Sequence, residues 1–231
     1  MIKEHWRYPY ERATFRVLVW LILGARRRLQ VEGRDNVPRT GPVILVSNHV
    51  ATADPPMVTG LLPRLDIFPM AKAEAFGTRW SRFFLGGWNA FPVVRHSADR
   101  RALERALQVL REGHLLALFP EGTRSKDARL SRAFPGAGFI ALRSGAPVVP
   151  VAIWGSENVL PKGRIWPRSA HVHVAYGTPI TVQRRRSDGT RVSNQEAADE
   201  LLKAVAALLP ESYRGVYDGR PLEEALSPTA A

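Results

Sequence analysis

Short apolar runs alternate with longer stretches of helical periodicity from residue 29 onward. Seven runs are brief, rich in branched apolar residues and bounded by turn residues, which predicts β-strands. These strands are 29–32, 43–47, 67–70, 91–94, 115–119, 147–153 and 171–176. Four other stretches place apolar residues at helical spacing, and the predicted helices are 78–85, 98–112, 136–144 and 196–209. Strands separated by helices predict an α/β fold with a mixed, largely parallel sheet flanked by helices.

The domain organisation follows from the absence of strong breaks in this pattern. The 231 residues contain no internal repeat and no long Gly/Ser-rich or Pro-rich linker, so we expect one domain over residues 29–221. The last ten residues, 222–231, have the composition of a loose tail.

Residues 1–28 form a separate N-terminal segment with aromatic, apolar and basic residues. Its apolar run, residues 17–23, is far shorter than the roughly 20 residues that cross a bilayer, and no signal-peptide cleavage site follows. Arginines flank the run on both sides, which is typical of an amphipathic helix in an anionic headgroup layer. A helix packed on the protein's own core explains the pattern equally well.

The chain is strongly basic, since 33 Lys+Arg against 21 Asp+Glu give a formal net charge of +12. Such an excess attracts polyanions, whether nucleic acid, an anionic membrane or a phosphorylated substrate. The basic residues are spread through the chain and match no nucleic-acid-binding motif, so we expect no nucleic-acid partner. The chain has no cysteine, which excludes disulfides, a thiol nucleophile and thiolate metal sites. We expect neither a metal nor a cofactor.

Candidate chemistry first appears directly after the predicted strand 43–47. His49 and Asp54 lie five residues apart in a strand-to-helix turn, the position where open α/β sheets place their sites. A carboxylate that holds one imidazole nitrogen leaves the other free to act as a general base. Alone, this pair is better explained by a turn in which Asp54 caps the following helix and His49 is incidental.

A second turn follows the predicted strand 115–119 and reads FPEGTRS over residues 119–125. Its glycine allows close backbone approach, and its Thr, Arg and Ser side chains are donors suited to phosphate. An ordinary turn with a solvated Arg124 is the simpler alternative for this segment taken alone. Two such turns at the same end of two strands would together form a site.

The two turns in combination resemble the glycerolipid acyltransferases, typified by the 1-acylglycerol-3-phosphate acyltransferases. NHVATAD (48–54) and FPEGTRS (119–125) are similar to the two most specific motifs of that family. Three further blocks follow the family's order: AKAE (71–74), GWNAFPVVR (87–95) and VVPV (148–151). The chain departs from the family pattern at Pro92 and Val94, and at FPG (134–136), where many members have a basic residue.

The resemblance implies a fold, a reaction and a set of site residues. His49, oriented by Asp54, is expected to deprotonate a hydroxyl of 1-acylglycerol-3-phosphate, which attacks the thioester of acyl-CoA or acyl-carrier protein to give phosphatidic acid. The implied substrate-binding residues are Lys72, Arg95, Glu121, Gly122, Thr123 and Arg124. The enzyme is then expected to be peripheral or monotopic on the cytoplasmic face of an anionic membrane.

Other functions remain open at this point. Another lysolipid or glycerol-3-phosphate is an alternative acceptor, because the departures from the family pattern fall near the expected acceptor pocket. A basic module that binds membrane or nucleic acid, and a membrane scaffold with a dead site, are the non-enzyme alternatives. The intact His49/Asp54 pair argues against a dead site.

Overall fold

A computed structural model describes residues 29–95, 99–159 and 168–226, together with the isolated helical positions Ala13 and Val17. Its centre is a seven-stranded sheet in the order β1-β7-β6-β2-β5-β3-β4. The strands are β1 (Leu29–Glu32), β2 (Val43–Ser47), β3 (Ile67–Lys72), β4 (Phe91–Val93), β5 (Leu115–Leu118), β6 (Val148–Trp154) and β7 (Val172–Tyr176). The helices are α1 (Asp54–Gly60), α2 (Arg79–Gly87), α3 (Arg100–Arg111), α4 (Pro135–Ser144), α5 (Asn194–Ala206) and α6 (Leu222–Ala225).

The sheet is mixed and largely parallel, which confirms the predicted fold class. Strands β6, β2, β5, β3 and β4 pair in parallel, whereas β7 is antiparallel to β6 and β1 is parallel to β7. Strands β2 and β5 are neighbours, and Val46 pairs with Leu118 at their ends. The two motif-bearing turns therefore leave the sheet side by side at one edge, which we call the carboxyl edge.

Both faces of the sheet are covered, which explains why all five residues of β2 are buried. Ile44 and Val46 face the cluster formed with α3, α4 and α5. Val43 and Leu45 face the opposite cluster, which includes residues of α1. A central strand buried on both faces gives the turn that follows it a fixed starting point.

Helices α4 and α5 pack closely at Gly138. A Cβ atom on this residue would lie 2.0 Å from the carbonyl oxygen of Asn194, so only glycine permits the approach. This contact fixes α5 against the face of the sheet that carries α3 and α4.

Most predicted boundaries are confirmed within two residues, and β2 is confirmed without change. Strand β3 continues to Lys72, and α5 begins at Asn194 and ends at Ala206, before the predicted limit of 209. Leu222–Ala225 form one helical turn at the start of the predicted tail, while residues 227–231 lie outside the described residues. The predicted helix of residues 1–28 also lies outside them, except for Ala13 and Val17. No helix within the described ranges has the length and apolar character to cross a membrane.

Candidate active site

His49 and Asp54 form a hydrogen-bonded pair in the turn between β2 and α1. The His49 Nδ1 atom lies 2.8 Å from Asp54 Oδ2, and the Asp54 carboxylate is fully buried. Asp54 is the first residue of α1, and two prolines follow it where a helix tolerates missing N–H groups. The five-residue spacing thus folds the carboxylate back onto the imidazole.

The Asp54 carboxylate is held by four donors. Oδ2 accepts the backbone N–H groups of Val50 at 2.6 Å and Ala51 at 2.7 Å as well as the His49 ring. Oδ1 accepts the hydroxyl of Ser156 at 2.5 Å. These bonds fix the carboxylate, and the geometry assigns the imidazole proton to Nδ1, which leaves Nε2 as the basic nitrogen.

The turn is also attached to strand β6. The side chain of Asn48 donates to the Ile153 carbonyl at 2.7 Å and accepts from the Ile153 N–H at 2.8 Å. Ser156 lies just beyond the end of β6, so one strand positions both the turn and the carboxylate. Ser156 is not among the predicted site residues, although its place after a buried strand at the carboxyl edge could have indicated a role in the site.

The His49 ring is neither fully buried nor fully solvated. It packs against the Phe119 ring with a centroid separation of 4.6 Å and a tilt of 38°. The side chain is 18% exposed, so the imidazole is held in place and still accessible from outside. This is the arrangement that a general base for an external substrate requires.

Glu121 requires a correction. A contact of Glu121 with substrate is predicted from the family resemblance, but the residue is only 1% exposed. Its Oε1 accepts the backbone N–H of His49 at 3.0 Å, and its Oε2 accepts the backbone N–H and hydroxyl of Ser131 at 2.9 and 3.0 Å. Burial raises the pKa of this carboxyl, and the hydrogen bonds partly oppose the rise. Glu121 therefore ties the two motif turns together instead of facing a ligand.

Gly122, a predicted substrate-binding residue, shapes the second motif turn. Its φ of +64° requires glycine, and a Cβ would lie 3.0 Å from the Phe134 ring. Its N–H donates to the Phe119 carbonyl at 3.0 Å, so this N–H closes the turn. The Gly122 carbonyl accepts from Arg95 Nη1 at 3.0 Å, which brings that guanidinium to the turn.

The predicted cations Arg95, Arg124 and Lys72 are more exposed than His49 and Asp54. Arg95 is 27% exposed, and its Nη2 lies 4.0 Å from the Glu74 carboxylate, a partner that the sequence analysis did not identify. Arg124 is exposed and donates to the Thr52 hydroxyl at 2.7 Å, across to the His49 turn. Thr123 is exposed beside Arg124, and Lys72 is exposed at the end of β3.

The predicted site residues therefore fall into two groups. Contacts join His49, Asp54, Glu121, Gly122 and Arg95 into one network, and Arg124 reaches that network through Thr52. Lys72 and Thr123 share its edge of the sheet. Among the described residues, no group of three or more His, Asp or Glu side chains is arranged to hold a metal ion.

Comparisons with known proteins identify the family of the chain. The family model described as Acyltransferase matches residues 28–154, more than half of the chain. The chain belongs to this acyltransferase family. The match begins at β1 and ends with β6, so it contains both motif turns and the Asn48 attachment to β6.

Individual relatives agree on the family and differ in coverage. A 1-acyl-sn-glycerol-3-phosphate acyltransferase of Bacillus subtilis is 34% identical over 60% of this chain and 68% of its own. One from Chlamydomonas reinhardtii is 30% identical over 59% of this chain, but the match spans only 42% of that longer protein. The crystal structure of the 1-acyl-sn-glycerophosphate acyltransferase PlsC from Thermotoga maritima superimposes with a TM-score of 0.66 at 25% identity, over 86% of this chain and 77% of its own.

Proposed function

We propose that this acyltransferase family member transfers a fatty acyl group to the free hydroxyl of 1-acylglycerol-3-phosphate, giving phosphatidic acid. The observation that carries the proposal is the His49 imidazole, partly exposed and held at 2.8 Å by a buried carboxylate. The names of the similar proteins support this acceptor. The proposed donor is a thioester, either acyl-CoA or acyl-carrier protein.

In the proposed mechanism, His49 Nε2 removes the proton from the acceptor hydroxyl as that oxygen attacks the thioester carbonyl. A carbon–oxygen bond forms, the carbon–sulfur bond breaks, and the leaving thiolate takes up the proton from the imidazolium. Asp54 holds the tautomer and stabilises the positive charge that develops on the ring. The acyl group passes directly to the acceptor, which is consistent with a chain that has no cysteine nucleophile.

The proposed acceptor phosphate is bound by the cations around the Gly122 turn. Arg95 and Arg124 provide planar guanidinium groups suited to two phosphate oxygens, and Lys72 provides a point charge. Arg124 is held by a neutral hydroxyl, so its charge is not neutralised by that contact. Arg95 lies 4.0 Å from Glu74, which is 66% exposed on its side chain, so water weakens that attraction.

Removing the base tests the reaction. We expect His49→Ala to lower the rate of thiol release by about 10²–10⁴-fold, the range typical of general-base catalysis. His171→Ala is the matched control, because His171 is exposed and lies outside the network. Retention of more than about a tenth of wild-type activity by His49→Ala would contradict the role of the base.

A panel of acceptors tests the substrate. Thiol release is measured with 1-acylglycerol-3-phosphate, glycerol-3-phosphate and uncharged lysolipids, using acyl-CoA and then acyl-carrier protein as donor. A preference for glycerol-3-phosphate would replace the proposed acceptor by the alternative that the sequence leaves open. Absence of turnover with every acceptor would favour the non-enzyme alternatives.

We also propose that the enzyme acts at the cytoplasmic surface of an anionic membrane without crossing it. Both the proposed acceptor and the product are anionic lipids, and the net charge of +12 favours an anionic surface. Residues 1–28 remain a predicted interfacial segment. Sedimentation with vesicles of anionic and neutral lipid, at low and high salt, tests this association, because surface attraction weakens as salt is added.

A further inference from the structure

Helix α2 exposes three large aromatic side chains. Trp80, Phe83 and Phe84 are 73%, 50% and 49% exposed. Their spacing of three and four residues places them on one side of the helix, which we call the aromatic face. Soluble proteins bury rings of this size when they can, and a cluster left at the surface marks an interaction site.

Charge indicates what the aromatic face binds. Arg79 and Arg82 are exposed on the same helix, whose sequence RWSRFFLGG contains no acidic residue. A tryptophan and phenylalanines interspersed with arginines are typical of a helix lying at the boundary between lipid headgroups and acyl chains. An anionic bilayer suits both the rings and the arginines of this helix, because rings can enter the acyl boundary while guanidinium groups bind headgroups.

Helix α2 begins close to the candidate active site. The helix follows the 3₁₀ turn Ala73–Phe76 that leaves the carboxyl edge after β3. That turn carries Glu74, which lies 4.0 Å from Arg95, and Arg95 in turn donates to the Gly122 carbonyl. A short series of contacts therefore connects the base of α2 to the Gly122 turn.

Two further exposed apolar side chains lie next to the site. Val94, 54% exposed, directly precedes Arg95, and Phe134, 41% exposed, lies against Gly122. Within the described parts of the chain, five of the eight large apolar residues that are exposed therefore lie on α2 or next to the site. Exposed apolar side chains are therefore concentrated on α2 and at the site.

Helix α2 is capped at its start and attached to α1 just beyond its end. Its first turn is closed by a capping box between Thr78 and Ser81. Just beyond its end, the Trp88 indole N–H donates to the Thr59 hydroxyl at 2.8 Å, and Thr59 is fully buried in α1. If the rings of α2 enter a bilayer, this attachment holds the carboxyl edge at a defined distance from it.

We propose that the aromatic face and its two arginines dock the protein on a bilayer containing anionic lipid, with the His49 site facing that bilayer. The proposal deepens the proposed function, because it supplies the route by which a lipid acceptor reaches the site. It is separate from the predicted role of residues 1–28, which are an alternative occupant of the same face.

Vesicle co-sedimentation of full-length variants is the first test. We expect Arg79→Gln/Arg82→Gln to weaken binding to phosphatidylglycerol-containing vesicles by about thirtyfold, given the usual contribution of each basic residue near an anionic surface. The control, Arg111→Gln/Arg143→Gln, removes two exposed arginines at the opposite edge of the sheet and is expected to bind like wild type. Equal losses in both variants would show that only net charge matters and would overturn the proposal.

The aromatic rings are tested in the same assay. We expect Trp80→Ser/Phe83→Ser/Phe84→Ser to weaken binding at least about tenfold, and the loss to persist at high salt because it arises from apolar contact. Val31→Ser, at an exposed apolar position on β1, is the control. Unchanged binding by the triple variant would overturn the proposal.

A fluorescent label provides a readout that does not depend on removing the rings. The chain has no cysteine, so Phe83→Cys carries a single label, and Val31→Cys carries the control label. We expect lipid-borne quenchers to quench the label at 83 and not the label at 31. A label at 83 that is already shielded without vesicles, and unaffected by them, would assign the face to residues 1–28 instead and overturn the proposal.

Turnover separates this proposal from the proposed function. We expect the α2 variants to keep wild-type activity on a soluble short-chain acceptor and to lose activity on acceptor embedded in vesicles. A wild-type protein that turns over neither acceptor would refute the proposed function, while the sedimentation and quenching results would still decide the docking surface.

Discussion

The two motif turns differ in how tightly they are held. The His49 turn is built on a carboxylate with four donors and on Asn48, both of which are buried. The cations around the Gly122 turn are more exposed, with Arg124 held across to the other turn by one hydroxyl contact. Glu121 belongs to the Gly122 turn and accepts the backbone N–H of His49, so it links the two turns.

This difference suits the two tasks of an acyltransferase. A general base must be positioned before substrate arrives, because each misplaced group adds to the barrier. A phosphate site can use mobile, solvated cations that close on the anion when it binds. We therefore expect changes in the buried region to lower kcat and changes in the exposed region to raise the KM for the acceptor.

The largest effect is expected from Asp54→Asn. The amide preserves the shape of the side chain but removes the charge that orients Nδ1–H and stabilises the imidazolium, so we expect kcat to fall about 10²–10⁴-fold. The KM for the acceptor is expected to change little. The measurement is thiol release under saturating substrates, with circular dichroism to establish that the variant is folded.

The opposite pattern is expected from Arg124→Ala. Loss of a charged hydrogen-bonding group is expected to raise the acceptor KM by about 10- to 100-fold, with a smaller change in the donor KM. Arg124→Lys is the matched variant, because it keeps the charge and loses the planar fork. Equal increases for donor and acceptor would contradict the assignment to the acceptor phosphate.

The sequence predicted local elements better than it predicted which elements meet. Strand β2 was predicted without error because a run of four apolar residues, 43–46, begins after Gly41-Pro42 and is followed by the polar Ser47 and Asn48. Helix α5 starts two residues before its predicted start, at Asn194, since Ser193 accepts from the Glu196 N–H in a capping box. The Ser193–Glu196 spacing of this capping box is visible in the sequence.

Long-range contacts account for what the sequence did not predict in the site. Ser156 is separated from Asp54 by 102 residues, and only the pairing of β6 with β2 brings the two together. Glu121 stands between Pro120 and Gly122 in a motif with an arginine, which favoured a ligand contact, yet the fold turns it inward to His49 and Ser131. Spacing along the chain carries no information about either partner.

Ser156→Ala tests how much one buried donor to Asp54 contributes, because it removes that donor and leaves the His49–Asp54 bond in place. We expect kcat to fall about 5- to 10-fold, in line with the usual net contribution of one hydrogen bond, with the acceptor KM unchanged. Ser156→Thr retains the hydroxyl and is expected to recover part of the activity. A loss of stability without any change in kcat would show that Ser156 acts on the fold alone.

The smallest effect is expected from the link between the two regions. Burial raises the pKa of Glu121 above its ordinary value of 4.5, so the folded protein binds this proton more tightly than the unfolded chain does. The free energy of unfolding contributed by the group is therefore fully present below pH 4.5 and falls as the pH rises through the folded pKa. Glu121→Gln cannot titrate, so we expect its stability to decline less than that of wild type over the same pH interval. Denaturant unfolding of both proteins at a series of pH values measures the difference, and parallel curves would show that Glu121 keeps the same charge state in the folded and unfolded chains.

The same variant is expected to have little effect on turnover. Since the amide of Glu121→Gln can still accept the His49 N–H, we expect kcat to change far less than in Asp54→Asn, which separates the residue that links the turns from the residue that orients the base.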